Sequence, residues 1–439
     1  MPPAARIVAI AVFFSMALAP SAIAEPSFSG GQLRLPTYGP ADRNVQACTY
    51  NERRIFVAGQ FGRSHDGSGW PWRRGNRLAT ISLTHSPKTE RDVAVASWRK
   101  QRIPRGEIVF ATKFDSAGRL YYVTGKANLR GKSRRLHVLR STPGGKPDRS
   151  FGRKGVVKLT GVSRAVRNHR DLKVRVVASG RRPVIVLSNG ATTELHRVNR
   201  RGVDRNWRPY RVNLNIVDTV SVNRGGSVFA GARAIVAGKI QPGIGLTRLQ
   251  PNGLPDKTFG IAGTWDAPRI DDGAAAFPNV PTIRTPGISR STVPTADGGA
   301  WVDVVENVNA NPFQHAIHRI VKVDATGNTV AVSQQKGIFS VGGDLGVPEA
   351  SPSHFEPSKQ GAVLAMASGL FSGTSASTVG FGASTVAGSR LEFEESGFAA
   401  TAFGGNKTSA ELLACGNPRN KKSGETRQRE IALRTIAIR

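Results

Sequence analysis

The chain of 439 residues carries 62 Lys+Arg against 30 Asp+Glu, a formal net charge of +32, with 39% hydrophobic residues and two cysteines. The apolar content excludes a disordered chain, two cysteines exclude a disulfide-dense small scaffold, and the charge excludes an ordinary near-neutral surface. Forty-nine Gly and 26 Pro favour turns over long helices, in a length that suits one large all-β domain or two to three ordinary ones.

Residues 1–24 read MPPAARIVAIAVFFSMALAPSAIA. Arg6 precedes an apolar run from Ile7 to Ala19, and Ala22-Ile23-Ala24 supplies a small-x-small cleavage pattern. The run is shorter than the roughly 20 residues that span a bilayer. This pattern predicts a signal peptide cleaved before Glu25 and an exported mature chain, extracellular or in the periplasm or cell envelope, with no transmembrane segment. A buried N-terminal helix is the other reading of the same run. Cys48 and Cys415 sit near opposite ends of the mature chain, and in an oxidising compartment a disulfide between them is the simplest expectation. Two buried free thiols are the alternative; neither cysteine has a histidine close in sequence that would make it a catalytic thiol.

A repeat runs through the mature chain. Leu136–Leu159, LHVLRSTPGGKPDRSFGRKGVVKL, and Leu246–Trp265, LTRLQPNGLPDKTFGIAGTW, both read strand, Gly turn, Pro-Asp, Ser/Thr-Phe-Gly, glycine, strand. Leu195–Trp207 is a weaker copy with Trp207 where the others carry Phe151 and Phe259, and Val323–Asn328 is a degenerate fourth turn. Alternating with these are seven stretches in which a polar Gly turn leads into a β-branched or aromatic run: Asn51–Gly59, Asp115–Gly125, Ser179–Gly190, Asn223–Gly231, Ala296–Val305, Ser358–Gly369 and Glu394–Phe403. Their strand starts recur about every 57 residues, the spacing of four-stranded antiparallel blades. Glu25–Leu35 is similar to the closing half of a repeat, so residues 26–36 are expected to complete a last blade with residues near 396–439. Closing the ring removes the exposed ends that an open stack would leave. The resulting expectation is an all-β fold, a seven-bladed (six to eight) β-propeller over residues 25–439, with Cys48 and Cys415 meeting at the seam. An irregular β-sandwich or two separate β domains are the competing architectures. Ala267–Thr292, with four prolines, reads as a long loop insertion, and Asn420–Arg429 as an exposed loop before a last strand at Ile431–Ile438.

The alternation of these turns with Pro-Asp-x-Ser/Thr-Phe-Gly-x-x-Gly resembles the delta-60 repeat of bacterial exported proteins, with the best matches at Asp115–Gly125, Pro147–Leu159 and Pro255–Trp265. The resemblance implies propeller-like stacking and export, and no single activity. Asp66-Gly67-Ser68-Gly69-Trp70 and Asp297-Gly298-Gly299-Ala300-Trp301 are weakly similar to the Asp-Gly-Trp boxes of sialidase-type propellers, where the box fixes a hairpin.

Charge is concentrated. Residues 51–250 hold 42 Lys+Arg and 11 Asp+Glu, while all other residues hold 20 and 19. On a ring of sequential blades this block becomes a cationic half facing a near-neutral half. The candidate anion-binding residues are Arg130, Arg134, Arg135, Arg140, Arg167, Arg170, Arg181, Arg182, Arg200 and Arg201. Arginine outnumbers lysine 45 to 17, and its fork grips carboxylate and phosphate through two parallel bonds. A purely solvated basic face is the bland reading.

No zincin, nucleophile-elbow, phosphate-loop or EF-hand pattern is present. His315 and His318 fall on opposite faces of a strand, and Asp271, Asp272, Asp303 and Glu306 read as solvated turn or strand-edge carboxylates. No metal, cofactor or catalytic set is therefore expected. The function expected is that of an exported, monomeric, non-catalytic binding or scaffold protein whose basic half engages an anionic cell-envelope polymer or acidic glycan. Nucleic acid is disfavoured, because the aromatics beside the basic runs form no RNA- or DNA-binding signature. The alternatives are a polysaccharide lyase or glycosidase acting at the central channel, and an adhesive role through intermolecular packing.

Overall fold

The computed structural model describes residues 101–115, 117–126, 134–170, 172–178, 182–212, 220–222, 227–231, 245–266, 294–295, 297–302 and 321–330 with their side chains, together with Phe56, Ala58 and Thr292. Elsewhere it describes the backbone of the strands named below. The fold is all-β, and residues 1–24 lie outside the described residues. No helix among the described residues is long and apolar enough to cross a membrane.

Strands β1 (Pro26–Phe28) and β2 (Leu33–Leu35) open the chain and belong to its last sheet. Sheet 1 is the meander β3 (Asp42–Asn51), β4 (Arg54–Gly62), β5 (Arg77–Thr84), β6 (Ala94–Lys100). Sheet 2 is β7 (Ile108–Phe114), β8 (Leu120–Gly125), β9 (Leu136–Ser141), β10 (Val156–Leu159). A single helical turn, α1 (Arg164–Arg167), precedes sheet 3. That sheet holds β11 (Lys173–Val177), β12 (Val184–Ser188) and β13 (Thr192–Asn199), with β14 (Gly202–Val203) and β15 (Tyr210–Asn213) both paired to β13. Sheet 4 is β16 (Asn215–Val222), β17 (Val228–Val236), β18 (Lys239–Leu249), β19 (Thr264–Asp266).

Sheet 5 holds β20 (Thr282–Pro294), β21 (Ala300–Ala310) and β22 (Phe313–Val323), followed by β23 (Thr329–Val332) and β24 (Gly337–Val341) on β22. Sheet 6 is β25 (Ser353–Ser358), β26 (Gly361–Ala367), β27 (Thr374–Phe381), β28 (Val386–Glu392). Sheet 7 is β29 (Phe398–Gly405), β30 (Glu411–Pro418) and β31 (Ile431–Ile438), and β31 carries β1 and β2 on its free edge.

Two sequence expectations are corrected. The stretch expected to be a loop to Thr292 becomes strand at Thr282, where β20 pairs with β21. A register shift between Thr285 and Ile288 absorbs Pro286 and Gly287, so the one of the four prolines that falls within β20 sits at a bulge. Residues 267–281 and the expected loop at 420–429 lie outside the described residues. Six of the seven turn-and-run stretches fall on the second strand of a sheet, but Glu394–Phe403 leads into β29, the first strand of sheet 7.

The second strands explain the core. Every residue of β8 and β12 is buried, because both faces of these sheets are covered. Leu120 and Tyr122 of β8 pack toward sheet 1 with Phe56 and Ala58, while Tyr121 and Val123 pack toward sheet 3 with Ile185, Leu187 and Val198. Val184 and Val186 face sheet 4 with Val228 and Ala230, and Phe229, Leu246 and Trp265 meet Val302 and Val321 of sheet 5. Each apolar cluster is thus a seam between sheets that are consecutive in sequence. The first strands keep the same order, with β3 against β7, β7 against β11, β11 against β16, β16 against β20, β20 against β25, β25 against β29, and β29 against β3.

The motif aspartate, after Pro147, Val203 or Pro255, builds a clasp at the far end of three third strands. Arg140, Arg197 and Arg248 donate through Nε to Asp148, Asp204 and Asp256 at 2.8, 2.8 and 2.9 Å. Each guanidinium also covers the following aromatic, Phe151, Trp207 or Phe259, at 4.7, 4.6 and 4.8 Å from the ring centroid. The second carboxylate oxygen of each Asp accepts the backbone N–H two residues on, so the motif fixes its own turn. The residue after the aromatic then latches the next sheet. Gly152 N donates to Arg200 O at 2.6 Å, Arg208 N to Asn252 O at 2.7 Å, and Gly260 N to Thr326 O at 2.7 Å. The turn glycine is required here, since a Cβ on Gly253 would stand 2.3 Å from Arg208 O and one on Gly327 would stand 2.2 Å from Gly260 N.

Candidate anion-binding edge

The clasp decides where charge is exposed. At the clasp end of sheets 2 and 3 the described carboxylates are Asp115, Asp148 and Asp204. Asp115 is bound by Arg119 at 2.6 Å, and Asp148 and Asp204 by the buried Arg140 and Arg197. Burial by itself would raise the Asp148 carboxyl. Hydrogen bonds from Ser150 and the Arg140 charge outweigh it and hold the group below the usual carboxylate range. These acids are spent inside the fold.

The cations around them are not. Lys146, Arg149, Arg153 and Lys154 of the sheet 2 loop are exposed, as are Arg182, Arg200, Arg201, Arg205 and Arg208 of sheet 3. The Gly152–Arg200 latch and the contact of β10 with β14 bring the two loops side by side. The result is a continuous basic belt in which the exposed groups carry one sign.

The sequence-derived candidates divide accordingly. Arg182, Arg200 and Arg201 lie on this belt. Arg135 and Arg170 are also exposed, but they sit at the opposite end of the strands, where β9 begins and α1 ends. Arg167 is half-buried on α1. Two candidates turn inward. Arg140 is 4% exposed and spends its guanidinium on Asp148, Tyr121 and Ser150. Arg134, 3% exposed, donates to the carbonyls of Lys126 and His169 and lies over Phe110, and burial pushes its pKa down. Both are ties within the fold, because a desolvated guanidinium must bond what surrounds it. Arg130 and Arg181 lie outside the described residues, as do the side chains of Cys48 and Cys415. The strands that carry these cysteines, β3 and β30, lie against one another.

Six belt residues, Lys146, Arg149, Arg153, Lys154, Arg205 and Arg208, were missed as candidates from sequence. Their signal was present: each flanks a motif aspartate whose charge an upstream arginine cancels. Reading that cancellation requires knowing that Arg140 and Asp148, eight residues apart, meet across a turn.

A second polar cluster lies at the other end of sheet 3. Glu194, 1% exposed, accepts from Ser163 N at 3.1 Å and from Arg211 Nε at 2.9 Å, and lies 3.1 Å from His196 Nε2. Burial would raise this carboxyl, but the bonds from His196 and Ser163 prevail and hold it at about 2. A group so firmly ionised is a poor general acid near neutrality, and its geometry is that of an anchor for α1. Among the described residues no three His, Cys, Asp or Glu come together as a metal site. His315, His318, Asp303 and Glu306 lie on β21 and β22, where the backbone alone is described, and Asp271 and Asp272 lie outside the described residues altogether. The Asp297–Trp301 box forms the hairpin between β20 and β21, with Asp297 Oδ1 accepting from Gly299 N and Trp301 buried.

Neither a protein-family model nor a curated protein sequence matches the chain. Among solved structures, the β-propeller domain of Cps50 (Swd1) from Myceliophteria thermophila is similar with a TM-score of 0.45 and 10% identity, covering 93% of this chain and 100% of that one. The β-propeller domain of Nup133 from Vanderwaltozyma polyspora gives 0.42 and 7% over 90% and 100% of the two chains. That of the Trilobed protease from Pyrococcus furiosus, described as having an open velcro topology, gives 0.42 and 6% over 91% and 94%.

Proposed function

We propose that this chain is an exported, non-catalytic seven-bladed propeller whose basic belt binds an anionic polymer of the cell envelope or an acidic glycan. The observation that carries the reading is the one-sided exposure at the clasp end of sheets 2 and 3, where the described carboxylates are engaged within the fold and nine Lys and Arg face solvent. The order of first-strand contacts, which returns from β29 to β3, supports the ring. The contact of β3 with β30 supports a Cys48–Cys415 disulfide at the seam. Spaced guanidinium forks favour a ligand that repeats its carboxylate or phosphate groups along a chain, over a single small anion.

The test is retention of the full chain on an immobilised acidic polysaccharide as salt is raised. Screening shortens the reach of exposed charge to about 10 Å at 0.1 M salt, so retention is expected to fall steeply with ionic strength. Charge reversal at Arg149, Arg153, Arg200 and Arg201 is expected to abolish retention. The same number of reversals at Lys126, Arg135, Arg170 and Lys173, exposed at the opposite end of the strands, is expected to leave most of it. Equal loss in the two variants would mean that net charge alone is sensed and would remove the belt from the reading.

A further inference from the structure

The clasp of sheet 3 is wired differently from its two sisters. In sheet 2, Arg140 Nη1 donates to Tyr121 Oη at 3.2 Å and Nη2 to Ser150 Oγ at 3.1 Å. In sheet 4, Arg248 Nη1 donates to the carbonyls of Gly298 and Ala325 at 3.0 and 2.7 Å, and Nη2 to Thr258 Oγ1 at 3.3 Å. In sheet 3 the residue paired across from the arginine is Val184, which offers no acceptor, and Asn206 stands at the Ser/Thr position. The aromatic is Trp207, which brings a donor where Phe151 and Phe259 bring none.

Two donors are therefore left over. Arg197 Nη1 and Trp207 Nε1 are buried, in side chains that are each 3% exposed or less, and neither makes a hydrogen bond. The guanidinium carbon lies 4.6 Å from the indole centroid, so the donors belong to stacked neighbours. Asp204 occupies only the Nε edge of Arg197, and its other oxygen faces Asn206 N. Val184 pairs with Arg197 and Val198 N donates to Pro183 O at 3.0 Å, so exposed Arg182, next to Pro183 in the chain, stands at the clasp end as a second cation. Exposed Asn206 and Arg208 flank Trp207 in sequence. A buried donor without an acceptor is costly, and native folds keep few. Two of them together, beside a spare cation and beneath the belt, form a receptor for negatively charged oxygen.

We propose that the junction of sheets 3 and 4 is a dedicated subsite for one oxyanion group, a carboxylate or a phosphate or sulfate ester, of the polymer that the belt attracts. Arg197 Nη1 and Trp207 Nε1 donate to two of its oxygens, and Arg182 supplies the excess charge. The inference rests on the polymer-binding reading and adds to it a directed contact that exposed cations alone do not provide.

The indole N–H of Trp207 reports on the site directly. Its resonance in a nitrogen-15 proton spectrum of the full chain is assigned by its loss in Trp207→Phe, a change that installs the side chain of the sister clasps. Inorganic phosphate and acetate are the probes, with chloride as the ionic-strength control. The expected result is a saturable downfield shift with phosphate or acetate and none with chloride. Whichever probe acts distinguishes an ester-bearing polymer from a carboxylated one. Trp207→Phe, followed by titration calorimetry because it lacks the indole signal, is expected to weaken binding of that probe about tenfold, as loss of one charge-assisted bond does. Arg182→Gln, at an exposed position, is expected to weaken it while preserving the Trp207 signal. An indole resonance that ignores both probes, or follows chloride equally, overturns the subsite. If it is silent while the chain is still retained on polymer through the belt, only the subsite falls; if retention also fails, the polymer-binding reading falls with it.

Discussion

The loops Pro147–Leu159 of sheet 2 and Pro255–Trp265 of sheet 4 are the same object on the inside and different objects on the outside. Their backbones coincide turn for turn, with φ of 56° and 57° at Gly152 and Gly260, 57° and 53° at Lys154 and Ala262, and 90° and 96° at Gly155 and Gly263. Their cores coincide as well. Tyr121 meets Phe151 edge-on at 5.7 Å, as Phe229 meets Phe259, and each pair is roofed by a clasp arginine. Outside, Arg149, Arg153 and Lys154 of the first loop become Lys257, Ile261 and Ala262 in the second, where Ile261 is 84% exposed. The clasp therefore accounts for the fold in both places, and the extra cations of sheets 2 and 3 are not needed to build it.

The most severe way to break this comparison is to remove the shared part. Asp148→Ala leaves the buried Arg140, and Asp256→Ala the largely covered Arg248, without its counter-charge, and each is expected to cost about 3 kcal/mol in chemical denaturation. A large cost in one loop and none in the other would show that the clasps are not equivalent.

Acid offers a second comparison. Burial raises both carboxyls, but the bonds from Ser150 and Thr258 and the charges of Arg140 and Arg248 prevail, so both groups titrate below their ordinary value of 3.8 when folded. A depressed folded pKa means that the stabilisation is present above the unfolded pKa and is lost as pH falls below it. The stability of the wild type is therefore expected to drop below about pH 4, measured by thermal unfolding across pH. Either Asp→Ala variant should show a shallower drop.

The smallest effect is the most discriminating. Lys154 and Ala262 hold left-handed backbone that costs an L-residue about 1 kcal/mol. Lys154→Gly and Ala262→Gly should each raise stability by roughly that amount. Only Lys154→Gly should reduce the salt needed to elute the chain from an acidic polysaccharide. Equal elution of the two variants would detach Lys154 from the belt.

How much of the molecule was legible beforehand depends on the range of the interactions. The turn glycines and the β-branched and aromatic runs act locally, so the all-β class and the second strands from Ile55 to Gly361 could be read along the chain. Phe151, Trp207 and Phe259 were recognisable as one repeated position. Arg140, Arg197 and Arg248 were not recognised as their partners, because an arginine in a basic segment looks like surface until strand register places it over a ring. For the same reason the sequence alone sets Arg134 and Arg140 among the anion ligands, whereas strand register turns both inward. Beyond Asp324 the motif residues are gone, and the first strand β29 was mistaken for a second.

Sheet 7 imposes an order on biogenesis. Pro26 pairs with Ile438, so the first and last strands depend on each other across almost the whole polypeptide. Sheets 1 to 6 each draw on one contiguous stretch and can form as that stretch emerges, whereas β1 and β2 must wait with an unsatisfied edge until β31 arrives. A ribosome stalled short of Ile431, or a protease that trims the tail, would leave a nearly finished molecule with an adhesive rim.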